Sequence, residues 1–397
     1  MSIRVLYDAA GFDSQRFGGV THYFLSALRG MGDAVAPIFA IAETENIPLH
    51  EYRPEIPLVH PKEIKKEDFL PLLPGFISRK IYRYVKKHNP EKLRHMPASV
   101  NAKALAAAVR REDYDIVHLT GCHSFGNALD MNFGKPVVIT VHDLIPDLAQ
   151  TKDIIRNRRR LLEIATRIIA VSESTKNDLI RLYSVPADKI SVIPHGHLTL
   201  SGKAVPVPGL DRFLLYMGLR KGWPHGDRTF VDYKNFGFMV RAIAPFLRED
   251  RELVLFCTGQ PFTEPEVALF RELGIAEQVR QDFVNGAEIE WLYTHAAALM
   301  YPSVYEGFGI PIIDAMFCGC PVVCCNSSCL PEVAGEAALY FDRGDEEGLR
   351  AAVRKLSDKA ARSNLVALGK RRADMFTWDR TAADTLKVYK EAIGAFG

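Results

Sequence analysis

No apolar run in the 397 residues approaches the roughly 18 that a membrane-spanning helix requires. The amino terminus passes directly into IRVLYDAAGF, without the basic, apolar and small-residue zones of a signal peptide. A cytosolic location is the resulting expectation. Net charge is also nearly absent, because 50 Lys and Arg against 48 Asp and Glu leave a formal +2. The overall field on which a nucleic-acid binder draws is missing, so no nucleic-acid partner is expected. Five of the seven cysteines crowd into CGCPVVCCNSSC (Cys318, Cys320, Cys324, Cys325, Cys329), which holds no Cys-x-x-Cys pair and no following histidine pair. That spacing favours small buried thiols over zinc. A nicotinamide fingerprint is missing as well, since the first glycine turn reads GGVTHY and not Gly-x-Gly-x-x-Gly.

What is present is an alternation of short apolar runs with amphipathic segments, the pattern of parallel sheets covered by helices. Strands are predicted at 3–9, 114–120, 136–143, 167–172 and 190–196, and in a second series at 212–218, 252–259, 279–284, 297–303, 321–326 and 338–342. Between the series lies SGKAVPVPGLD (201–211), rich in Pro and Gly and without periodicity. The fold class is therefore α/β, with two doubly wound Rossmann-like domains facing across a cleft: a first domain over 1–200, a linker over 201–211 and a second domain over 212–377. Ligands of such sheets bind outside the carboxyl ends of the strands, so the candidates are the residues just beyond each strand.

Gly18 and Gly19 come after the first strand and allow close backbone approach, with a plain turn before a core helix as the alternative. His142 ends the strand PVVITVHD, where a near-neutral imidazole suits hydrogen bonding or proton exchange; a structural histidine is the competing reading. Arg220 and Lys234 flank the mouth of the second domain, a fork and a point charge suited to a diphosphate or, alternatively, two solvated cations. The stretch YPSVYEGFGIPIIDAM (301–316) ends a strand, turns on Gly307 and Gly309, and starts a helix near Pro311, with Gly319 where a C-terminal cap belongs. Exposed amides at a helix start attract phosphate. Acids beside an anion site would repel it, so Glu306 and Asp314 fit better as acceptors for hydroxyl groups on the phosphorylated ligand. A diphosphate between two polyols is a nucleotide sugar. For Asp314 a first-turn acid complementing the helix dipole is an equal alternative.

Together with FGGVTHYF, VITVHDLIPDL, RIIAVSESTKNDLIRLYSVPADKISVIPHG, YKNF, LPEVAGEAALYFD and the closing TWDRTAADTLKVYK, these motifs resemble the retaining nucleotide-sugar glycosyltransferases of family 4, which have the GT-B fold. The resemblance implies that residues 378–397 form a final helix crossing back to the first domain. Its glutamate–seven residues–glutamate motif falls on Glu306, expected at the transferred sugar, and on Asp314, expected at the ribose. Arg220 and Lys234 resemble the basic pair on the diphosphate, Gly18 and Gly19 the loop near phosphates and acceptor, and His142 the histidine facing the reacting sugar. Backbone of Phe308, Gly309 and Ile310 would line the phosphate and sugar site. Two departures stand out: Asp replaces the second Glu, and residues 222–232 separate Arg220 from Lys234.

The resemblance further implies a metal-independent hexosyl transfer that needs no cofactor, from a nucleotide-diphosphate sugar, leaning to GDP-mannose, to a saccharide or lipid-linked saccharide acceptor in polysaccharide or glycan biosynthesis. An epimerase or phosphorylase on the same fold, and a non-catalytic nucleotide-sugar-binding protein, are the rival readings. An Asp-x-Asp at Asp113 and Asp115 leads into a strand and reads as surface punctuation. The stretch FISRKIYRYVKKH (76–88) reads as a solvated helix with one buried face, with peripheral docking on an anionic membrane at the inner face of the cell as the alternative.

Overall fold

The computed structural model describes residues 2–12, 19–42, 44, 46–56, 98–121, 131–148, 152–200, 202–220, 223–224 and 230–396. Gly18 and the 76–88 stretch lie outside these residues. Among the described residues the first lobe carries six parallel strands: β1 (Ile3–Tyr7), β2 (Val35–Phe39), β3 (Ile116–Leu119), β4 (Val137–Val141), β5 (Arg167–Ala170) and β6 (Ile190–Val192), in the order β2-β1-β3-β4-β5-β6. The strands are mostly apolar because both faces are covered. Leu6, Val117, Ile139 and Ile168 pack to one side. Their neighbours Val5, Ile116, Val138 and Ile169 pack to the other.

The second lobe holds β7 (Phe213–Tyr216), a short antiparallel pair of two-residue strands, β8 (Trp223–Pro224) and β9 (Phe230–Val231), then β10 (Val254–Thr258), β11 (Val279–Asp282), β12 (Ala298–Tyr301), β13 (Val322–Cys325) and β14 (Ala338–Phe341). Its main sheet is ordered β11-β10-β7-β12-β13-β14 and is parallel throughout. The chain reverses its winding between β7 and β12, and the crevice at such a switch point is where doubly wound sheets bind ligands. All eleven strands predicted from sequence are present, each shorter than predicted. The unpredicted β2 contains Pro37 and lies at the sheet edge among the described strands, the position that tolerates a residue with no amide hydrogen. The pair of β8 and β9 stands within the 222–232 stretch.

The chain crosses between lobes twice at one place. On the outward crossing Gly196 lies so close to Trp378 that a Cβ on it would stand 2.4 Å from the Trp378 amide nitrogen. The linker then runs along the second lobe, where Val207 and Leu210 join the core and Arg280 donates to the Pro208 carbonyl at 3.1 Å. The return crossing begins the last helix, Trp378–Ala395, capped by Thr377, which accepts from the Arg380 amide at 3.3 Å. Ala382, Val388, Tyr389 and Ala392 of this helix are buried in the first lobe's core. A polar chain pins it there: Tyr389 bonds the Tyr7 hydroxyl at 2.8 Å and His118 Nδ1 at 2.6 Å, while His118 Nε2 meets Thr140 at 2.9 Å. Burial holds this histidine neutral, its pKa lowered to about 3.

Candidate functional site

The carboxyl ends of β7 and β12 carry the predicted basic and acidic residues. After β12 the chain runs through Val304–Gly309 into the helix Ile310–Phe317, whose N-cap Gly309 has φ +94°, a left-handed conformation that a glycine adopts without strain. Ile312, Ile313, Ala315 and Met316 bury the apolar side of this helix, and Gly319 ends it at φ +79°. The loop is fixed from behind by the cysteine-rich segment. Ser328 Oγ donates to the Glu306 carbonyl at 2.6 Å, and Cys329 Sγ lies 3.2 Å from the Glu306 and Phe308 carbonyls. Ser327 also donates to the Val304 carbonyl. Cys320, Cys324, Cys325 and Cys329 are buried, and burial raises each thiol's pKa, so they stay protonated packing residues.

Glu306 and Lys234 meet in this crevice. Their Oε1 and Nζ are 2.6 Å apart, and the side chains are only 11% and 12% exposed. Burial disfavours the lysine's charge, yet Glu306, with help from Tyr233 and Asp143, outweighs it and raises the Lys234 pKa above its ordinary value. The ammonium also lies over the Tyr233 ring at 4.9 Å and the Tyr301 ring at 5.6 Å. Asp143, which comes after β4 in the other lobe, is an acid to which its sequence position assigned no role. Burial raises its pKa, Glu306 adds to the rise, and Lys234 opposes it. Asp143 also stands against the loop that carries Glu306, since a Cβ on Gly307 would lie 3.1 Å from Asp143 Cβ.

Arg220 has partners of its own. Its Nε donates to Glu266 Oε1 at 2.9 Å, its terminal nitrogen donates to the Gln260 and Pro261 carbonyls, and its guanidinium lies 4.7 Å from the Phe262 ring centroid. With 4% of the side chain exposed, Arg220 braces the 260–266 segment, and its guanidinium also lies 5.8 Å from the ring centroid of Phe236, two residues beyond Lys234. Glu266 serves twice, since its other oxygen accepts from the Thr263 amide at 2.6 Å and caps the helix Glu264–Glu272.

Asp314 stands in the second turn of its helix and not in the first, so the dipole-complementing reading falls away. Its Oδ1 accepts from the Leu198 amide at 2.7 Å, tying the interlobe crossing to the helix. Burial pushes its pKa up to about 7, with the Leu198 bond working the other way. Next to this bond His197 stacks on Phe317, ring centroids 3.7 Å apart.

The first lobe closes over the loop. His142 packs edge-on against Tyr23 at 5.0 Å, and its carbonyl faces Gly307 so closely that a Cβ there would stand 1.6 Å from the oxygen. Gly19 begins the helix Gly19–Met31 opposite Ile310, 3.9 Å from a Cβ placed on the glycine to Ile310 Cδ1. Phe308 is buried, its ring 4.9 Å from that of His195. His195 in ISVIPHG is a further buried residue at this junction. Neutral rings at this position are favoured by burial and by repulsion from His142, which together lower the His195 pKa well below its ordinary value. The Asp-x-Asp lies at the amino ends of β1 and β3, away from the crevice, where Asp115 pairs with Arg4 at 2.9 Å.

Residues 17–197 match the model described as Glycosyltransferase Family 4, and residues 227–359 the model described as Glycosyl transferases group 1. The chain is 32% identical over 240 residues to the O-antigen chain mannosyltransferase B of Escherichia coli, covering 58% of this chain and 61% of that protein, less than two thirds of its length. It is 27% identical over 313 residues to the MMP alpha-(1->4)-mannosyltransferase of Mycolicibacterium hassiacum, covering 73% of this chain and 74% of that one. Among solved structures, Anabaena HepE in complex with UDP and glucose superposes with a TM-score of 0.70 at 14% identity, covering 98% of this chain and all of that one. Sucrose-phosphate synthase from Thermosynechococcus elongatus gives 0.69 at 20% identity over the full length of both. At such identities the likeness is one of fold, the two facing parallel sheets of GT-B. With a family model on each lobe, the chain belongs to the glycosyltransferases, family 4 in its first half and group 1 in its second.

Proposed function

We propose that this chain transfers a hexose-type sugar, with retention and without a metal ion, from a nucleotide-diphosphate donor of the GDP-mannose type to a saccharide or lipid-linked saccharide. The observation that carries the reading is the buried Glu306–Lys234 pair, 2.6 Å apart, at the crevice between β7 and β12 and next to the start of the Ile310–Phe317 helix. Mannosyl transfer named for the two relatives above supports the choice of donor. In this reading the helix amides and Lys234 receive the diphosphate, and Lys234 exchanges part of its contact with Glu306 for a phosphate oxygen. Glu306, so released, accepts from hydroxyl groups of the sugar.

The bond from the anomeric carbon to the phosphate oxygen breaks with its electron pair passing to the diphosphate. The acceptor oxygen forms the new bond on the same face, and its proton passes to the departing phosphate oxygen. Lys234 and the helix amides stabilise the charge that develops there, the role a metal ion plays in other transferases. His142 and Gly19 bound the sugar from the first lobe. A screen of nucleoside diphosphates by thermal shift, then incubation with the matching nucleotide sugars and proton NMR of the product, tests the proposal. Stabilisation by GDP and a product with the donor's anomeric configuration are expected. An inverted product, epimerised donor without transfer, or binding with neither turnover nor donor hydrolysis would overturn it.

A further inference from the structure

The helix Glu173–Tyr183 of the first lobe starts with amides that its own lobe satisfies only in part. Ser172 Oγ accepts from the Thr175 amide at 3.0 Å, and the Lys176 amide bonds the Ser172 carbonyl at 3.0 Å. The two amides before them are taken by the other lobe. Glu332 Oε1 accepts from the Glu173 amide at 2.8 Å, and Oε2 accepts from the Ser174 amide at 3.1 Å. A carboxylate there also meets the positive end of the helix dipole. Glu332 is carried on the short helix Leu330–Ala334, directly after Ser327, Ser328 and Cys329, the residues that hold the Glu306 loop by its carbonyls. The loop itself also meets the same first-lobe helix. Gly307 accepts from Ser172 Oγ at 2.7 Å and Thr175 Oγ1 at 3.3 Å, and Tyr305 donates to Asp178 Oδ2 at 2.7 Å.

We infer that Glu332 is a positioning residue: by capping the first lobe's helix across the cleft, it locks the lobes together and sets the Glu306 loop against His142. The cap forms only when the lobes are closed, because its two partners belong to different lobes. Closing the cleft and placing Glu306 are then one event, carried through the three residues from Ser327 to Cys329. Glu332 touches neither of the reacting groups assigned above, and its effect passes through the loop.

Glu332→Ala removes both acceptors, and Glu332→Gln keeps one oxygen while turning an amide donor toward the other N–H. Hydrogen exchange in peptides spanning 170–176 is expected to speed up at least tenfold in both variants. On the glycosyl-transfer reading, on which this half of the test rests, kcat falls at least tenfold while nucleoside diphosphate affinity stays within about twofold. Tyr305→Phe, which removes only the Asp178 contact, should lower kcat in the same direction with unchanged diphosphate affinity. Unchanged exchange at 170–176 would refute the cap. Diphosphate affinity falling in step with kcat would instead make Glu332 a support of the second lobe alone and overturn the positioning role. Were no nucleotide sugar turned over by the parent protein, the exchange measurement would still decide the latch by itself.

Discussion

Asp314 offers a sharp test of the site's electrostatics, because its carboxyl is buried and bonded to the Leu198 amide, with a pKa pushed up to about 7 from an ordinary 3.8. The folded protein therefore keeps a proton on Asp314 at pH values where the unfolded chain has lost it. The folded state binds more protons across this window, so stability is fully present below about pH 4 and is lost as pH rises through about 7. A rise of that size is worth about 4 kcal/mol, of which about 3 kcal/mol falls between pH 5 and pH 8. Asp314→Asn carries no titrating group, and its carbonyl can still accept from Leu198. Relative to the parent, the variant should gain stability with rising pH, reaching several degrees of melting temperature by pH 8 at roughly 2–4 °C per kcal/mol. Paired thermal melts at pH 5, 6, 7 and 8 measure this. A difference that stays flat, or that widens toward acid, refutes the buried protonated carboxyl.

Replacing Glu306 with Ala should abolish transfer by several orders of magnitude in a folded protein, checked by product formation beside circular dichroism; near-native turnover would remove Glu306 from the chemistry. Lys234→Met leaves Glu306 buried without its cation and should cost about 3–5 kcal/mol of stability, with the double variant Lys234→Met/Glu306→Gln recovering much of it in denaturant melts. For Arg220→Ala, calorimetry is expected to find nucleoside diphosphate affinity within about threefold of the parent, since the guanidinium is committed to Glu266, Gln260 and Pro261; a hundredfold loss would put Arg220 back on the phosphates. Gly307→Ala places a Cβ where the His142 carbonyl lies, 1.6 Å away. Transfer should vanish while diphosphate binding persists, and small-angle scattering should report parted lobes; an active variant would mean the lobes do not close on this loop.

Much of the fold was legible because the period and length of apolar runs report burial on both faces of a parallel strand. The strand of the two main sheets that escaped, Val35–Phe39, is interrupted by Pro37, a residue that argues against a strand everywhere except at an edge. In the site, Glu306, Gly309 and Lys234 announced themselves by standing immediately after strands or before helices, positions where residue type alone carries meaning. Arg220 announced itself in the same way, yet it turns to Glu266, a residue 46 positions away whose capping role could be read but whose second oxygen could not. Asp143 and Glu332 went unassigned because their significance comes from facing the opposite lobe.

The sequence by itself determined the alternation of strands and helices, the two-lobed α/β class and the local chemistry at each strand end, all of which depend on neighbours within a few residues. Only the tertiary structure decided which of those strand ends share a crevice, that Lys234 and not Arg220 meets Glu306, and that Asp314 holds the interlobe crossing. Those outcomes depend on strand order within the sheet and on how one lobe closes on the other. Local propensity does not encode them, because the residues involved are brought together by packing across separations of 46 to 159 positions.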